Sequence, residues 1–282
     1  INNQLLLGHH DGAFEITENN ATSISSEPGF WNFVPISATS PASKIVAGNY
    51  KGLRTFDFIN GRFSQSGIIP DFVESCRFVA IDKFDNTWVS HPYHGVYKIL
   101  KNNTGKTAAV LYTDKKGLPS TLNNHVYKIK NDVLVATEKG VYLYNQQNDN
   151  FEPAPFYKKL LGDKSIRYLK ADDAGNIWFI HAKNLGVIDM SGIEPSVIYL
   201  PELNNRMLSG FEFIYPVNEN NVFLGAEKGF YHINYDKYKK TLPGLNVQVR
   251  MVRIINNTDS LVFGGYFKDV NENQLQDDKK IP

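Results

Sequence analysis

"SCRFVAIDKFDNTWVSH" (75–91) and "SIRYLKADDAGNIWFIH" (165–181) align over their whole length without a gap. Arg77 falls on Arg167, Asp82 on Asp172, Trp88 on Trp178 and His91 on His181. In each, an apolar strand runs into a polar turn and then into an aromatic strand, which is the sequence pattern of a hairpin. A unit that recurs in this way implies an internally repeated architecture.

Working outward, the second half of the unit recurs more often than the first. "LLLGHHDGAFEIT" (5–17), "IVAGNYKGLRTF" (45–56), "TWVSHPYHGVYKI" (87–99), "VLVATEKGVYLY" (133–144), "IWFIHAKNLGVIDM" (177–190) and "VFLGAEKGFYHI" (222–233) each give an apolar strand, a short polar turn, a glycine and an alternating strand. The glycines Gly12, Gly52, Gly95, Gly140, Gly186 and Gly229 are spaced 40, 43, 45, 46 and 43 residues apart. Apolar positions alternate by two, not at the 3.6-residue helical period, so helical repeats of similar length are excluded. A period in the low forties built from short strands is that of propeller blades with four strands each. The fold expected is all-β, a β-propeller with six visible repeats forming part of a seven-bladed ring.

The turn glycine has a mechanical reason, because a tight antiparallel connection needs a residue at positive φ. Trp88 and Trp178 are expected to pack between neighbouring blades, and Trp31 opens a different strand. Polar segments such as "NQQNDNFEPAP" and "YDKYKKTLPG" are expected to form the outer edge strand and the crossover to the next blade, with "YKKLLGD" a short helical turn at most. Only four residues precede "LLLG", so the first repeat should lack its innermost strand.

Bulk properties narrow the function. The 282 residues carry a net charge of +1 with acids and bases interspersed, so there is no basic stripe of the kind a nucleic-acid surface needs. No apolar run reaches membrane-spanning length, so no membrane insertion is expected of this region. The one cysteine, Cys76, cannot form an internal disulfide and reads as a buried structural residue, not a nucleophile. The chain begins without Met and ends abruptly, and reads as a piece of a longer protein.

"KKGLPSTLNNHVYKI", "DVLVATEKGVYLYN" and "DDAGNIWFI…GVIDM" resemble the two-component-regulator propeller repeat, with Gly117, Leu118, Pro119 and Ser120 matching its crossover. The resemblance covers about residues 4–240, giving a propeller over 1–243. Residues 244–282 resemble the opening of the β-sandwich-like triple-tyrosine module that often follows such propellers. The resemblance implies a non-enzymatic, periplasmic ligand-sensing region of a bacterial histidine kinase or LuxR-type regulator. It also implies a homodimer in the full-length protein and an oligosaccharide or other small molecule as ligand. Several repeats depart from the family pattern, with "S-H", "I-H" or "G-H" where "G-T" is usual.

Five of the seven histidines fall in or beside the glycine turns. In a propeller, the turns between second and third strands share one face. His9, His10 and Asp11 should therefore share it with Asn49, Tyr50, His91, Tyr93, His94, Glu138 and His181. Two readings stand: these are the polar tips that turns require, or the face binds a ligand. For the second, the candidate ligand-binding residues are His9, His10, Tyr50, His91, Tyr93, His94 and His181, since His and Tyr offer flat apolar surface with a polar handle.

No metal, cofactor or catalytic residue is assigned. The histidines lie in non-adjacent blades, and although His91 and His94 could approach each other, no third ligand is evident. "KDVNENQLQDD" (268–278) fails as a calcium loop, with Gln274 where glycine is needed and Lys280 where glutamate belongs. The sequence holds no G-x-S-x-G, P-loop, C-x-x-C or H-E-x-x-H motif. The alternative function is a propeller lyase or glycan-active enzyme using a histidine base and a metal, for which His91, His94 and His181 are the set to consider.

Overall fold

The structure is a computed structural model and describes residues 1–37, 41–101, 107–242, 251–255 and 260–264. Contacts divide the chain into two units, residues 1–236 and 237–282.

The first unit is a β-propeller of six blades. Blade one holds β1 (Leu5–His9), β2 (Gly12–Ile16) and β3 (Ala21–Ser25). Blade two holds β4 (Phe33–Pro35), β5 (Lys44–Asn49), β6 (Gly52–Ile59) and β7 (Arg62–Ile68). Blade three runs β8 (Phe78–Ile81), β9 (Thr87–His91), β10 (Gly95–Lys101), β11 (Thr107–Tyr112). In blade four, β12 (His125–Ile129), β13 (Asp132–Thr137), β14 (Gly140–Asn145) and β15 (Asn150–Pro153) precede a short helix, α1 (Pro155–Leu161). Blade five is β16 (Ile166–Ala171), β17 (Ile177–His181), β18 (Asn184–Asp189) and β19 (Ser196–Tyr199). Blade six is β20 (Ile214–Asn218), β21 (Asn221–Ala226) and β22 (Gly229–Ile233), followed by α2 (Tyr235–Thr241). Each sheet is an antiparallel meander in chain order.

Blades two to five have four strands. Blade one lacks the innermost strand, as its sequence implied: its β1–β2 hairpin, with His9 opposite Gly12, corresponds to the second and third strands of the other blades. Among the described residues, blade six has no outer strand after β22. In the second unit, β23 (Met251–Ile254) pairs antiparallel with β24 (Ser260–Gly264). The segment 268–278 and most of 244–282 lie outside the described residues.

The core lies between blades. Trp88 and Trp178 are both fully buried. Trp88 of blade three packs on Tyr144 and Phe151 of blade four, with ring centroids 4.6 and 5.7 Å away. Trp178 of blade five meets Tyr235, at the start of α2, at 5.1 Å. Aromatic rings that fill such inter-sheet layers bury large apolar areas, as Phe56, Phe151, Phe179, Tyr112 and Tyr235 do.

Two sequence expectations are corrected. "YDKYKKT" is the helix α2, not an edge strand. Its Asp236 lies in the first turn and Lys239 and Lys240 in the last, which complements the helix dipole, and buried Tyr235 anchors it. Gly186 is not a turn glycine. It sits inside β18 opposite Phe179, where any side chain would strike the Phe179 ring. The blade-five turn is made by Ala182 and Lys183 at φ 45° and 63°, backbone angles more usually taken by Gly, Asn or Asp. "AKNLG" held two candidate turns, and register with β17 selected the first.

Candidate functional site: the rim and axis of the propeller

In blades one to four the strand that enters the glycine turn ends in a residue whose side chain accepts a hydrogen bond from that turn. His9 Nδ1 accepts from the Asp11 amide at 3.1 Å, and Asn49 Oδ1 from the Lys51 amide at 2.8 Å. His91 Nδ1 accepts from the Tyr93 and His94 amides, both at 3.0 Å, and Thr137 Oγ1 from the Lys139 amide at 3.0 Å. Histidine therefore does in blades one and three what threonine does in blade four. The replacement of "G-T" by "S-H" or "G-H" preserves a turn acceptor, as side chains that mimic backbone turns do elsewhere.

The predicted site residues fall into separate groups. His10 Nδ1 meets the Tyr50 hydroxyl at 3.1 Å, linking the turns of blades one and two. In blade three, the His91 and His94 rings lie parallel with centroids 3.9 Å apart, and Tyr93 lies edge-on to His91 at 6.3 Å. His181 of blade five contacts neither group, and burial, reinforced by the Lys164 charge, lowers its pKa. The enzyme set His91, His94 and His181 is thus not assembled.

The third member of the blade-three cluster is Glu74, from the crossover before β8. Its Oε2 lies 3.5 Å from His91 Nε2 and 3.8 Å from His94 Nδ1, and the three groups can present ligand atoms within 4.8 Å of one another. The donor chemistry argues against a metal cradle. Neutral imidazole carries one proton, and because His91 Nδ1 accepts two amide bonds, that proton sits on Nε2, facing Glu74. Burial, then the neighbouring His94, lowers the pKa of His91 and keeps the ring neutral, against the opposing pull of Glu74. Glu74 was missed in the sequence because it belongs to a crossover 17 residues before His91, and the antiparallel pairing of β8 with β9 brings them together.

The inner strands begin beside these turns, on the same rim. Phe78 pairs with Ser90, His125 with Ala136, Ile166 with His181, and the Phe213 carbonyl accepts from the Gly225 amide. Their side chains form an aromatic stair around the axis. Trp31 meets Phe78 at 6.2 Å, Phe78 meets Tyr127 at 5.7 Å, Tyr127 meets Tyr168 at 5.5 Å and Tyr168 meets Phe213 at 6.5 Å. Phe211 stacks back on Trp31 at 5.5 Å. The hydroxyls follow the same path: Tyr127 donates to the Arg167 carbonyl at 2.9 Å, and Tyr168 to the Ile214 carbonyl at 3.2 Å. Arg77 crosses the axis, with its guanidinium 4.7 Å from the Trp31 ring and 5.3 Å from Phe78, and donates to the Gly210 carbonyl. His125, only 4% exposed, packs on Phe78 at 5.2 Å; burial and the charges of Arg77 and Arg167 push its pKa down to about 3. The one signal in the sequence for this cluster was the coincidence of Arg77 with Arg167 in the two aligned repeats.

No protein-family model matches the chain, and no curated protein matches it. Among solved structures, the chain is similar to the extracellular domain of BT3049, assigned to a hybrid two-component system of B. thetaiotaomicron. The TM-score is 0.63 at 16% identity, over 99% of this chain and 37% of that one. It is also similar to the extracellular domain of BT4673, assigned to a one-component system of the same organism, with a TM-score of 0.59 at 14% identity over 82% of this chain and 33% of that one. The chain thus spans about a third of these structures, and no described helix is long and apolar enough to cross a membrane. What the likeness establishes is the fold: this chain is a β-propeller that superposes on these two extracellular domains.

Proposed function

We propose that this chain is the propeller part of an extracytoplasmic sensor in a bacterial signal-transduction protein. It binds a small ligand, such as a glycan fragment, on the rim and axis described above, and does no chemistry on it. The observation that carries this reading is the superposition of 99% of the chain on the extracellular domain of a signalling protein. The "GLPS" crossover and the Asp–Trp hairpins support assignment of the repeats to the two-component-regulator propeller. Residues 244–282 then open a triple-tyrosine module, and the full-length protein is a periplasmic homodimer with a kinase or DNA-binding output. The rim chemistry is in keeping with this reading: His9 and His91 serve as turn acceptors, and His181 lies apart from the His91–His94 pair.

The test is made on the full-length protein in its host. Removing the propeller should abolish ligand-dependent transcription of its target genes, and externally added protease should reach the propeller once the outer membrane is permeabilised. A propeller shielded by the inner membrane, or a purified chain that turns over its glycan ligand, would overturn the reading.

A further inference from the structure

The axis holds polar groups that the fold itself does not use. Among the described residues, both ring nitrogens of His125, the Nε of Arg77 and the Oδ1 of Asn124 are buried without a hydrogen-bond partner. Buried polar atoms are almost always satisfied in folded proteins, so a cluster of orphans calls for something that completes it. Neither Arg77 nor Arg167 has a carboxylate within ion-pair distance among the described residues, and Glu212, whose charge acts on Arg77, is engaged by the Gly210 amide at 3.0 Å. Asn124 Oδ1 and one nitrogen of the neutral His125 ring are acceptors, but Arg77 Nε and the other His125 nitrogen are donors, and the two guanidiniums make the cluster positively charged. Its edge is open at the rim, where both arginines are half-buried and Phe211 is 63% exposed.

We propose that the rim end of the axis binds an oxyanion, a carboxylate in the first instance, carried by a small ligand whose apolar face rests on Trp31 and Phe211. Arg77 Nε, the Arg167 guanidinium and one His125 nitrogen donate to its oxygens. Guanidinium pairs with planar oxyanions through geometry as well as charge. The Trp31–Phe211 stack supplies the flat surface beside it. This proposal rests on the sensor reading and deepens it by naming the chemical class of the ligand.

The experiment is calorimetric titration of the whole chain with sodium glucuronate, glucose, sulfate and phosphate. Glucuronate should bind, and glucose should bind at least about tenfold more weakly. Displacement of glucuronate by sulfate or phosphate would show that the same donors accept other oxyanions; binding of sulfate or phosphate alone would place the oxyanion but exclude carboxylate as its source. R167Q should weaken binding by about tenfold or more with an unchanged melting temperature. Should R167Q fail to fold, R167K must still weaken binding, because an ammonium keeps the charge and loses the fork. Equal binding of glucose and glucuronate, no binding by any oxyanion, or indifference to both Arg167 variants would overturn the proposal. Such a failure leaves the sensor reading standing, since that is judged by the output of the full-length protein.

Discussion

The indole nitrogen of Trp88 donates to Asp82 Oδ2 at 2.9 Å, and that of Trp178 donates to Asp172 Oδ2 at 3.0 Å. One carboxylate thus ties down both the turn and the core ring that follows it. Asp82 Oδ1 accepts from the Phe84 and Asn86 amides at 2.8 and 2.9 Å, so the six-residue spacing from Asp to Trp is that of one turn plus two strand residues. Hydrogen bonds from Trp88 and Asn86 lower the Asp82 pKa despite the opposing effect of burial. D82A strands the buried indole N–H and unties the turn. It should cost about 2–4 kcal/mol in chemical denaturation, and D172A a similar amount. Because the two sites lie in different blades, the double variant should lose close to the sum.

His91 is a turn acceptor first. H91N, which can accept from the same amides as Asn49 does in blade two, should stay within about 1 kcal/mol of the parent. H91L removes the acceptor for two amides and should cost about 1–2 kcal/mol. The folded-state pKa is lowered, so the stability His91 contributes is fully present above its unfolded value near 6.5 and is lost as pH falls below it. An unfolding midpoint for H91N that declines less than the parent's between pH 7 and pH 5 is the expected outcome.

Glu27 links blades one and two through Arg54, with Arg54 Nε 2.7 and 2.8 Å from its two oxygens, and through Gln65 at 2.7 Å. The Arg54 hydrogen bond, aided by the Gln65 bond and the Arg54 charge, outweighs desolvation and brings its pKa down to about 2. Its contribution is therefore present above the unfolded value near 4.5 and is lost as pH falls toward 2. Allowing for partial exposure of the carboxylate, E27Q should cost about 1–2 kcal/mol at pH 7, about half of that at pH 3 and little at pH 2, as read from urea midpoints.

Gly95 and Gly229 occupy the same turn position at φ 106° and 108°, but they face different surroundings. A Cβ at Gly95 would meet the Tyr112 carbonyl oxygen, whereas at Gly229 it meets no described atom within 4 Å. G229A should cost about 1–2 kcal/mol through backbone strain alone, and G95A measurably more. Equal losses in thermal unfolding would mean that the close approach at Gly95 contributes nothing.

Periodicity and turn chemistry, both local, made the six hairpins, the buried tryptophans and the missing inner strand of blade one legible in the sequence. Alternation by two fixes which side chains face inward, and a glycine or an Asp–Trp spacing fixes where each strand turns. The exceptions were also local in origin: Gly186 and "YDKYKKT" could each be read two ways, and pairing register in one case and the burial of Tyr235 in the other decided between them. The candidate site was legible only as a set of turn tips. That Glu74 belongs with His91 and His94 follows from the pairing of β8 with β9, whereas the meeting of His10 with Tyr50 and the gathering of Arg77, His125 and Arg167 at the axis are consequences of wrapping separate blades around a common line. The axis also joins residues as distant in sequence as Arg77 and Gly210, 133 positions apart, and no window along the chain contains them. The chain's own pattern determines the blade; the closure of blades into a ring determines which charges and rings meet.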